Sequence, residues 1–356
     1  MGSHSGFEPA AAYRMMVRMR LVEEALVQAW VDGLVPGEYH SGIGEEAINA
    51  GVLMHLDGRD ALALDHRNTA PMVGRGVDPL SLMLELLGSE NGMNRGMAGH
   101  MHVMDPELRA AADGMVGAAG PLAVGNAVAN TMLRPGRVAI AFHGEAAMNQ
   151  GMLMESYNMA VAWRLPVIFV CKDNKWSITT YSSDVTGGTP IDRARGFGLK
   201  VARANGSRVE SVYAAAGELI ARARAGKGPG FLYVTCHRPG GHFEGDPLVR
   251  LLTNPGRQAQ VWGPGMKDAV LSPEGATLGP RAAALNLLTK RGVRAARDWK
   301  LRSRLDPLRR GRRRVGQHAA AQIETSEGRE IAEAIETAKA AIGTRRTFGV
   351  SSGGAR

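Results

Sequence analysis

Apolar residues recur three and four apart from Glu8 to Val31, with Met16, Met19, Leu21, Leu26 and Ala29 on the pattern, and the run stops at Asp32-Gly33. That spacing predicts an amphipathic helix. A second helix is expected over Gly44 to Leu56, a short apolar strand over Asp60 to Asp65, and a helix opened by its proline over Pro79 to Leu87. Further along, strands are expected over Arg137 to Phe142, Pro166 to Cys171 and Gly230 to Cys236, with helices over Asn149 to Trp163 and Glu210 to Ala225. Continuously apolar strands alternating with helices are the signature of βαβ units, whose crossovers are right-handed and whose strands are covered on both faces. The expected fold class is therefore α/β, a doubly wound, mostly parallel sheet with helices on both faces. Three regions are expected: a helical arm over 1–34, a central domain over 35–260, and a basic C-terminal region over 261–356 with a last helix from Glu324 to Ala341.

Between Gly88 and Gly125 the periodicity gives way to glycine and methionine, with seven glycines from Gly92 to Gly125. Such a run suits close approach of backbone to a ligand better than regular structure. Its methionines, Met93, Met97, Met101, Met104 and Met115, suit an irregular contact surface with another chain. Composition adds limits. The chain has 356 residues, 44% hydrophobic and 22% charged, enough to bury a large core. No stretch reaches the roughly 18 consecutive apolar residues of a membrane span, and Met1-Gly2-Ser3-His4-Ser5-Gly6 lacks the order of a signal peptide, so a cytoplasmic protein is expected. Cys171 and Cys236 each sit in an apolar run and read as small buried hydrophobes. Twelve of the 43 basic residues and two of the 34 acidic ones lie between Lys290 and Arg314, which leaves 31 and 32 elsewhere. The net charge of +9 is thus local, and with only Trp299 among the basic residues it reads as a solvated face before a nucleic-acid surface.

In an open parallel sheet ligands bind beyond the carboxyl ends of the strands. Those ends carry His143-Gly144-Glu145-Ala146-Ala147, then Lys172-Asp173-Asn174, then His237 to Pro247. Glu145 follows a glycine and precedes a helix, where backbone N–H groups favour an anion. Asn174 stands 29 residues later at the next strand end. A carboxylate and an amide oxygen brought side by side are hard ligands suited to Mg²⁺. On spacing alone, the plainer reading is Glu145 as a helix-opening carboxylate and Asn174 as a turn former. No G-x-G-x-x-G opens a helix after any of these strands, which argues against a nicotinamide cofactor.

The run Gly144-Glu145-Ala146-Ala147-Met148-Asn149-Gln150-Gly151, continuing through Glu155, Asn158-Met159-Ala160 and Leu165 to Cys171, resembles the thiamine-diphosphate motif of the alpha subunits of pyruvate, branched-chain 2-oxo acid and acetoin dehydrogenases. The similarity extends from about Tyr13 to Pro247 and takes in Gly37 to Ala47, His66-Arg67, Gly99 to His102 and Met115 to Ala118. It implies the thiamine-diphosphate-binding fold for the central domain. It further implies that Glu145, the Asn174 side chain and the Trp176 carbonyl bind Mg²⁺, and that Gly144, Ala146 and Ala147 offer backbone to the diphosphate. His66 and Arg67 match a pair that contacts the cofactor, Val116 and Gly117 would present backbone to its aminopyrimidine, and His242 matches a histidine near diphosphate and substrate. His242 and His66 are accordingly the expected catalytic residues. The implied partners are a beta subunit, in a heterotetramer of two alpha and two beta chains, and a lipoyl acyltransferase core. The implied reaction is decarboxylation of a 2-oxo acid or cleavage of acetoin, the Gly241 to Asp246 loop looking closest to the acetoin enzymes.

The chain also departs from that pattern. Glu145 replaces the usual Asp, Ala146 the second Gly, Asp173 the first Asn, Gly240 the first histidine of the loop, and Thr69 another histidine. The longer carboxylate and less permissive turn bear on a metal that demands near-octahedral geometry. A non-catalytic homologue of the subunit and a nucleic-acid-associated protein are the two alternatives in other classes.

Overall fold

The structure is a computed structural model that describes residues 6–271 and 278–341. Seven strands form the main sheet: β1 (Ala61–Leu64), β2 (Met104–Asp105), β3 (Ala110–Ala112), β4 (Ala139–Gly144), β5 (Val167–Asp173), β8 (Lys200–Asn205) and β9 (Gly230–Thr235), in the order β2-β3-β1-β4-β5-β9-β8. Only the β2–β3 pairing is antiparallel. A separate hairpin, β6 (Trp176–Ser177) with β7 (Thr180–Tyr181), follows the end of β5.

Side chains alternate across a strand, and the central strands are apolar on both faces, so two cores form. Ile140, Phe142, Ile168 and Val170 face a core shared with α1 (Pro9–Val31), α2 (Glu46–Leu53), α4 (Pro79–Leu86) and α8 (Val209–Arg224). Ala139, Ala141, Val167, Phe169 and Cys171 face the other, built with α5 (Ala119–Leu133) and α6 (Gly151–Ala162). The doubly wound α/β fold with helices on both faces is thereby realised. The remaining helices are α3 (Thr69–Arg75), α7 (Pro190–Gly196), α9 (Pro247–Thr253), α10 (Pro255–Leu271), α11 (Leu278–Leu305), α12 (Pro307–Val315) and α13 (Gln317–Ala340). None of the described helices is long and apolar enough to cross a membrane.

Three local expectations need correcting. The glycine-rich segment is not irregular throughout: Gly120 and Gly125 lie inside α5, and a Cβ at Gly120 would come within 2.7 Å of Leu153 in α6, so this glycine serves close helix packing. The helix that opens at Glu145 is not α6 itself but a five-residue 3₁₀ helix, Glu145–Asn149, which precedes α6. Cys171 is buried, but Cys236 is only partly so.

The basic stretch forms α12 and the end of α11, and Arg312, Arg313 and Arg314 are exposed, with Arg312 and Arg314 paired to Glu324 and Glu210. α13 lies along α1, where Arg14 and Arg18 reach Glu327 at 2.7 and 2.9 Å and Tyr13 donates to Glu324 at 2.5 Å. The part of the N-terminal arm between Tyr13 and Arg18 is thus covered by the far end of the chain.

Candidate active site

A cavity of about 600 Å³ opens beyond the carboxyl ends of the parallel strands. Asp65, His66 and Arg67 follow β1, Met115 to Gly117 follow β3, Gly144 to Ala147 follow β4, Asn174 and Trp176 follow β5, and Arg238 and His242 lie beyond β9. Sequence order scatters these residues over nearly 180 positions, and the sheet gathers them because β1, β3, β4, β5 and β9 run parallel and end on the same side. His66, Arg67, Val116, Gly117, Gly144, Glu145, Ala146, Ala147, Asn174, Trp176 and His242, all singled out from the sequence, line this one cavity.

Glu145 is 3% exposed and accepts a hydrogen bond from the Ser182 hydroxyl. No described basic side chain forms an ion pair with it, and burial together with nearby Asp173 pushes its carboxyl up to about 7. A buried carboxylate with no paired cation, beside an amide oxygen at the next strand end, is a donor set that fits a hard divalent ion. The Asn174 side-chain oxygen already accepts from the Trp176 backbone N–H at 3.2 Å, which curls the loop around it. Lys175 and Ile178 in this loop hold left-handed backbone, at φ 71° and 54°. Such conformations persist where the surroundings over-determine them, and here Lys175 is bound to Asp173 at 2.5 Å and to the Tyr233 hydroxyl at 2.7 Å. Asp173 is engaged by Lys175 and Tyr233. Ala146 stands where the resemblance has a glycine, yet none of the residues Glu145 to Asn149 has a positive φ, so the turn does not require one. Gly117 does need its identity: at φ 93° a Cβ would lie 3.1 Å from Gln150.

The cavity is also lined by basic and imidazole side chains. Arg67 is 3% exposed and donates to the Ser41 carbonyl at 2.8 Å and to the His242 carbonyl at 2.5 Å, and its Nη2 lies 3.2 Å from His242 Nδ1. The His242 backbone N–H donates to Asp246 at 2.8 Å, and Glu244 ties the loop to Ser41. The His242 loop is thereby tied to Arg67 and to Ser41 and braced internally by Asp246. Burial, then Arg67, hold His242 down at about 3 and His66 well below its usual value. Burial and Arg238 lower Arg67 to about 9. His66 Nε2 is buried and has no hydrogen-bond partner.

Sequence reasoning gave no role to several residues here. Lys172 is buried, 2.7 Å from Glu45 and 3.1 Å from Asp65. Burial alone would lower its pKa, but the two carboxylates raise it, so the lysine stays charged. His40 comes from the loop before α2 and packs edge-on against His66 and His242 at ring-centroid distances of 4.9 and 5.0 Å. One nitrogen from each of these three imidazoles falls within 4.8 Å of the others. Arg67 touching His242, with Arg238 close enough to depress the histidines, opposes a cation there and favours an anion. No local spacing reveals this group, although His40 lay in the segment Gly37 to Ala47 that carried the resemblance. Asp298 of α11 is another such residue: it accepts from the Trp176 indole at 2.7 Å, while the Arg294 guanidinium lies 4.1 Å over the Tyr181 ring.

The cavity therefore combines a Mg²⁺-compatible carboxylate and amide oxygen with an anion-compatible group of Arg67, Arg238 and neutral histidines. A metal–diphosphate ligand has that same division of charge.

Comparison with known proteins gives a consistent picture. The sequence profile of the dehydrogenase E1 component family matches residues 13–253. The alpha subunit of the acetoin:2,6-dichlorophenolindophenol oxidoreductase of Cupriavidus necator is 40% identical over 236 residues, covering 66% of this chain and 71% of its own length. The corresponding subunit of Bacillus subtilis is 34% identical over 236 residues, with the same coverage. The pyruvate dehydrogenase E1 component subunit alpha of Zymomonas mobilis is 36% identical over 238 residues, covering 66% of this chain and 67% of its own.

Proposed function

The chain belongs to the dehydrogenase E1 component family, as an alpha subunit of the thiamine-diphosphate-dependent 2-oxo acid and acetoin dehydrogenases, and from that membership we propose how its site works. Glu145, the Asn174 side chain and the Trp176 carbonyl hold Mg²⁺; the Gly144, Ala146 and Ala147 backbone receives the diphosphate; Val116 and Gly117 receive the aminopyrimidine. The single observation that carries this reading is that all these residues, drawn from the ends of β3, β4 and β5, line one cavity together with Arg67, Arg238 and the histidines.

When bound, the cofactor would supply a nucleophilic carbon and a sink for the electrons released on cleaving the substrate. This chain's part is to bind and orient. Arg67 neutralises and His66 donates to the anionic end, and His242, held by Arg67 and Asp246, faces the reacting group from the loop beyond β9. The neutral imidazoles contribute hydrogen bonds without adding net charge. The cofactor-binding domain is taken as 35–260, between the helical arm and the C-terminal region.

A beta subunit completes the enzyme, in a heterotetramer of two copies of each chain, and the acyl group passes to a lipoyl acyltransferase, in the cytoplasm. Met97, Met104 and Met115 are 57, 52 and 62% exposed around the cavity segment, and apolar surface of that kind supports a partner there. Acetoin is the first substrate to try, because both the Gly241 to Asp246 loop and the 40% identical relative point to it.

The experiment is co-expression with a beta subunit, followed by acetoin- or 2-oxo-acid-dependent reduction of an artificial electron acceptor. Activity that needs both chains, Mg²⁺ and thiamine diphosphate is expected. A correctly assembled complex that turns over none of these substrates would overturn the reading.

A further inference from the structure

We propose that His100 is a positioning residue: it fixes the tautomer of His40, leaving His40 with its proton on Nε2 as a hydrogen-bond donor for the cavity. His40 lines the cavity and His100 stands behind it, and each is 7% exposed. His40 Nδ1 and His100 Nε2 are 3.0 Å apart, and the rings lie at 17° to one another with centroids 5.3 Å apart.

A hydrogen bond between two imidazoles needs one N–H and one lone pair, so neutral partners must take complementary tautomers. Both are neutral at physiological pH, since burial, then Arg67, hold His40 at about 3 and His100 at about 4. The direction of the bond follows from the other nitrogen of His40. Its Nε2 lies 3.9 Å from the Glu38 carboxylate, whose field favours a proton on that atom. Nδ1 is then the acceptor and His100 Nε2 the donor.

His100 is itself held in place. Its carbonyl accepts from the Asn68 amide at 2.6 Å, and its ring meets the Tyr39 ring at 5.5 Å and 61°. Tyr39 is anchored in turn by its hydroxyl, which donates to the buried Glu23 carboxylate at 2.6 Å. The ring therefore has little freedom to turn its donor away from His40, which is how an outer hydrogen bond selects the tautomer of a functional imidazole.

That the Nε2–H serves an oxygen of the substrate or cofactor rests on the functional reading above; the tautomer assignment does not. The test therefore has two arms. The full chain, labelled with ¹⁵N-histidine, is read by long-range ¹H–¹⁵N correlation, with His40 assigned by its loss in His40→Gln. The wild type is expected to show His40 as the Nε2–H tautomer. His100→Phe, which keeps the stacked ring and loses the donor, should give mixed tautomers, and His100→Gln, which restores an amide N–H, should recover the wild-type signal.

In the complex with a beta subunit, His100→Phe should lower kcat about 10-fold with KM for the cofactor little changed, and His100→Gln should regain most of it. A wild-type His40 protonated on Nδ1 overturns the proposal whether or not the Phe variant folds. So does a His40 tautomer that is unchanged in His100→Phe. Absence of turnover in the wild-type complex, with the tautomers as expected, would count against the functional reading alone.

Discussion

Replacing Glu145 with glutamine separates what the carboxylate costs the empty fold from what it contributes to binding. Its folded-state pKa is pushed from the usual 4.5 to about 7, chiefly by burial. At about 1.4 kcal/mol per pKa unit, that shift corresponds to roughly 3 kcal/mol between the folded and unfolded chains. The sign follows from which state ionises first. The unfolded carboxyl loses its proton near pH 4.5 and the folded one near pH 7, so the contribution is fully present below about pH 4.5 and is lost as pH rises through about 7. Glutamine cannot ionise and escapes that decline, while the altered hydrogen bond to Ser182 costs about 1 kcal/mol. In EDTA at pH 8, Glu145→Gln should thus be more stable than the wild type by about 2 kcal/mol, a few degrees in Tm. With Mg²⁺ and thiamine diphosphate added, the wild type should gain stability and the variant should not, because binding to the folded state alone raises Tm. Urea and thermal denaturation with and without the ligands read both effects. A variant that keeps the wild-type ligand-induced shift refutes the metal-ligand role, and one that is less stable at pH 8 without ligands refutes the charge-burial argument.

Lys172→Met leaves Glu45 and Asp65 facing each other without their shared cation; a loss of about 3–5 kcal/mol is expected in urea unfolding, and a loss under 1 kcal/mol would show that the network is hydrated. His242→Ala should lower turnover of the assembled complex by about 100-fold, since a lost polar group at the reacting end costs that much. Its stability should change by less than about 1 kcal/mol, because the backbone contacts to Arg67 and Asp246 remain; equal kcat in both proteins would make it a loop residue only. Gly117→Ala forces a side chain onto left-handed backbone 3.1 Å from Gln150. It should cost about 1–2 kcal/mol and weaken cofactor affinity, and calorimetric titration that finds neither effect would contradict the placement of this turn.

The central strands were legible because burial on both faces demands continuous apolar runs, and Val167 to Cys171 and Ala139 to Phe142 meet that demand. β8 escaped because it is an edge strand: Lys200, Arg203 and Asn205 are exposed and fall on both faces, and such a segment satisfies no apolar pattern. Glycine was the ambiguous signal. Gly117 and Gly120 are three positions apart, but one serves a left-handed turn at the cavity and the other lets α5 approach α6, a distinction set by what lies opposite each. The site divides the same way. The apolar pattern placed Glu145 and Asn174 at strand ends and His242 in the loop beyond the last strand, and all three line the cavity, but only the family resemblance gave them roles. His40, His100, Glu45 and Lys172 were given no role, since each acquires its role from partners far along the chain. Lys172 makes the point most directly. It read as the first residue beyond the strand expected over Pro166 to Cys171, yet it lies within β5, 3% exposed. A lysine there would be untenable alone, and two carboxylates, from the start of α2 and the end of β1, stabilise its charge. That compensation also bears on the field of the cavity: Lys172 offsets one of the two negative charges of Glu45 and Asp65, Arg238 pairs with Glu45 at 3.7 Å, and Glu145 has no ion-pair partner among the described residues.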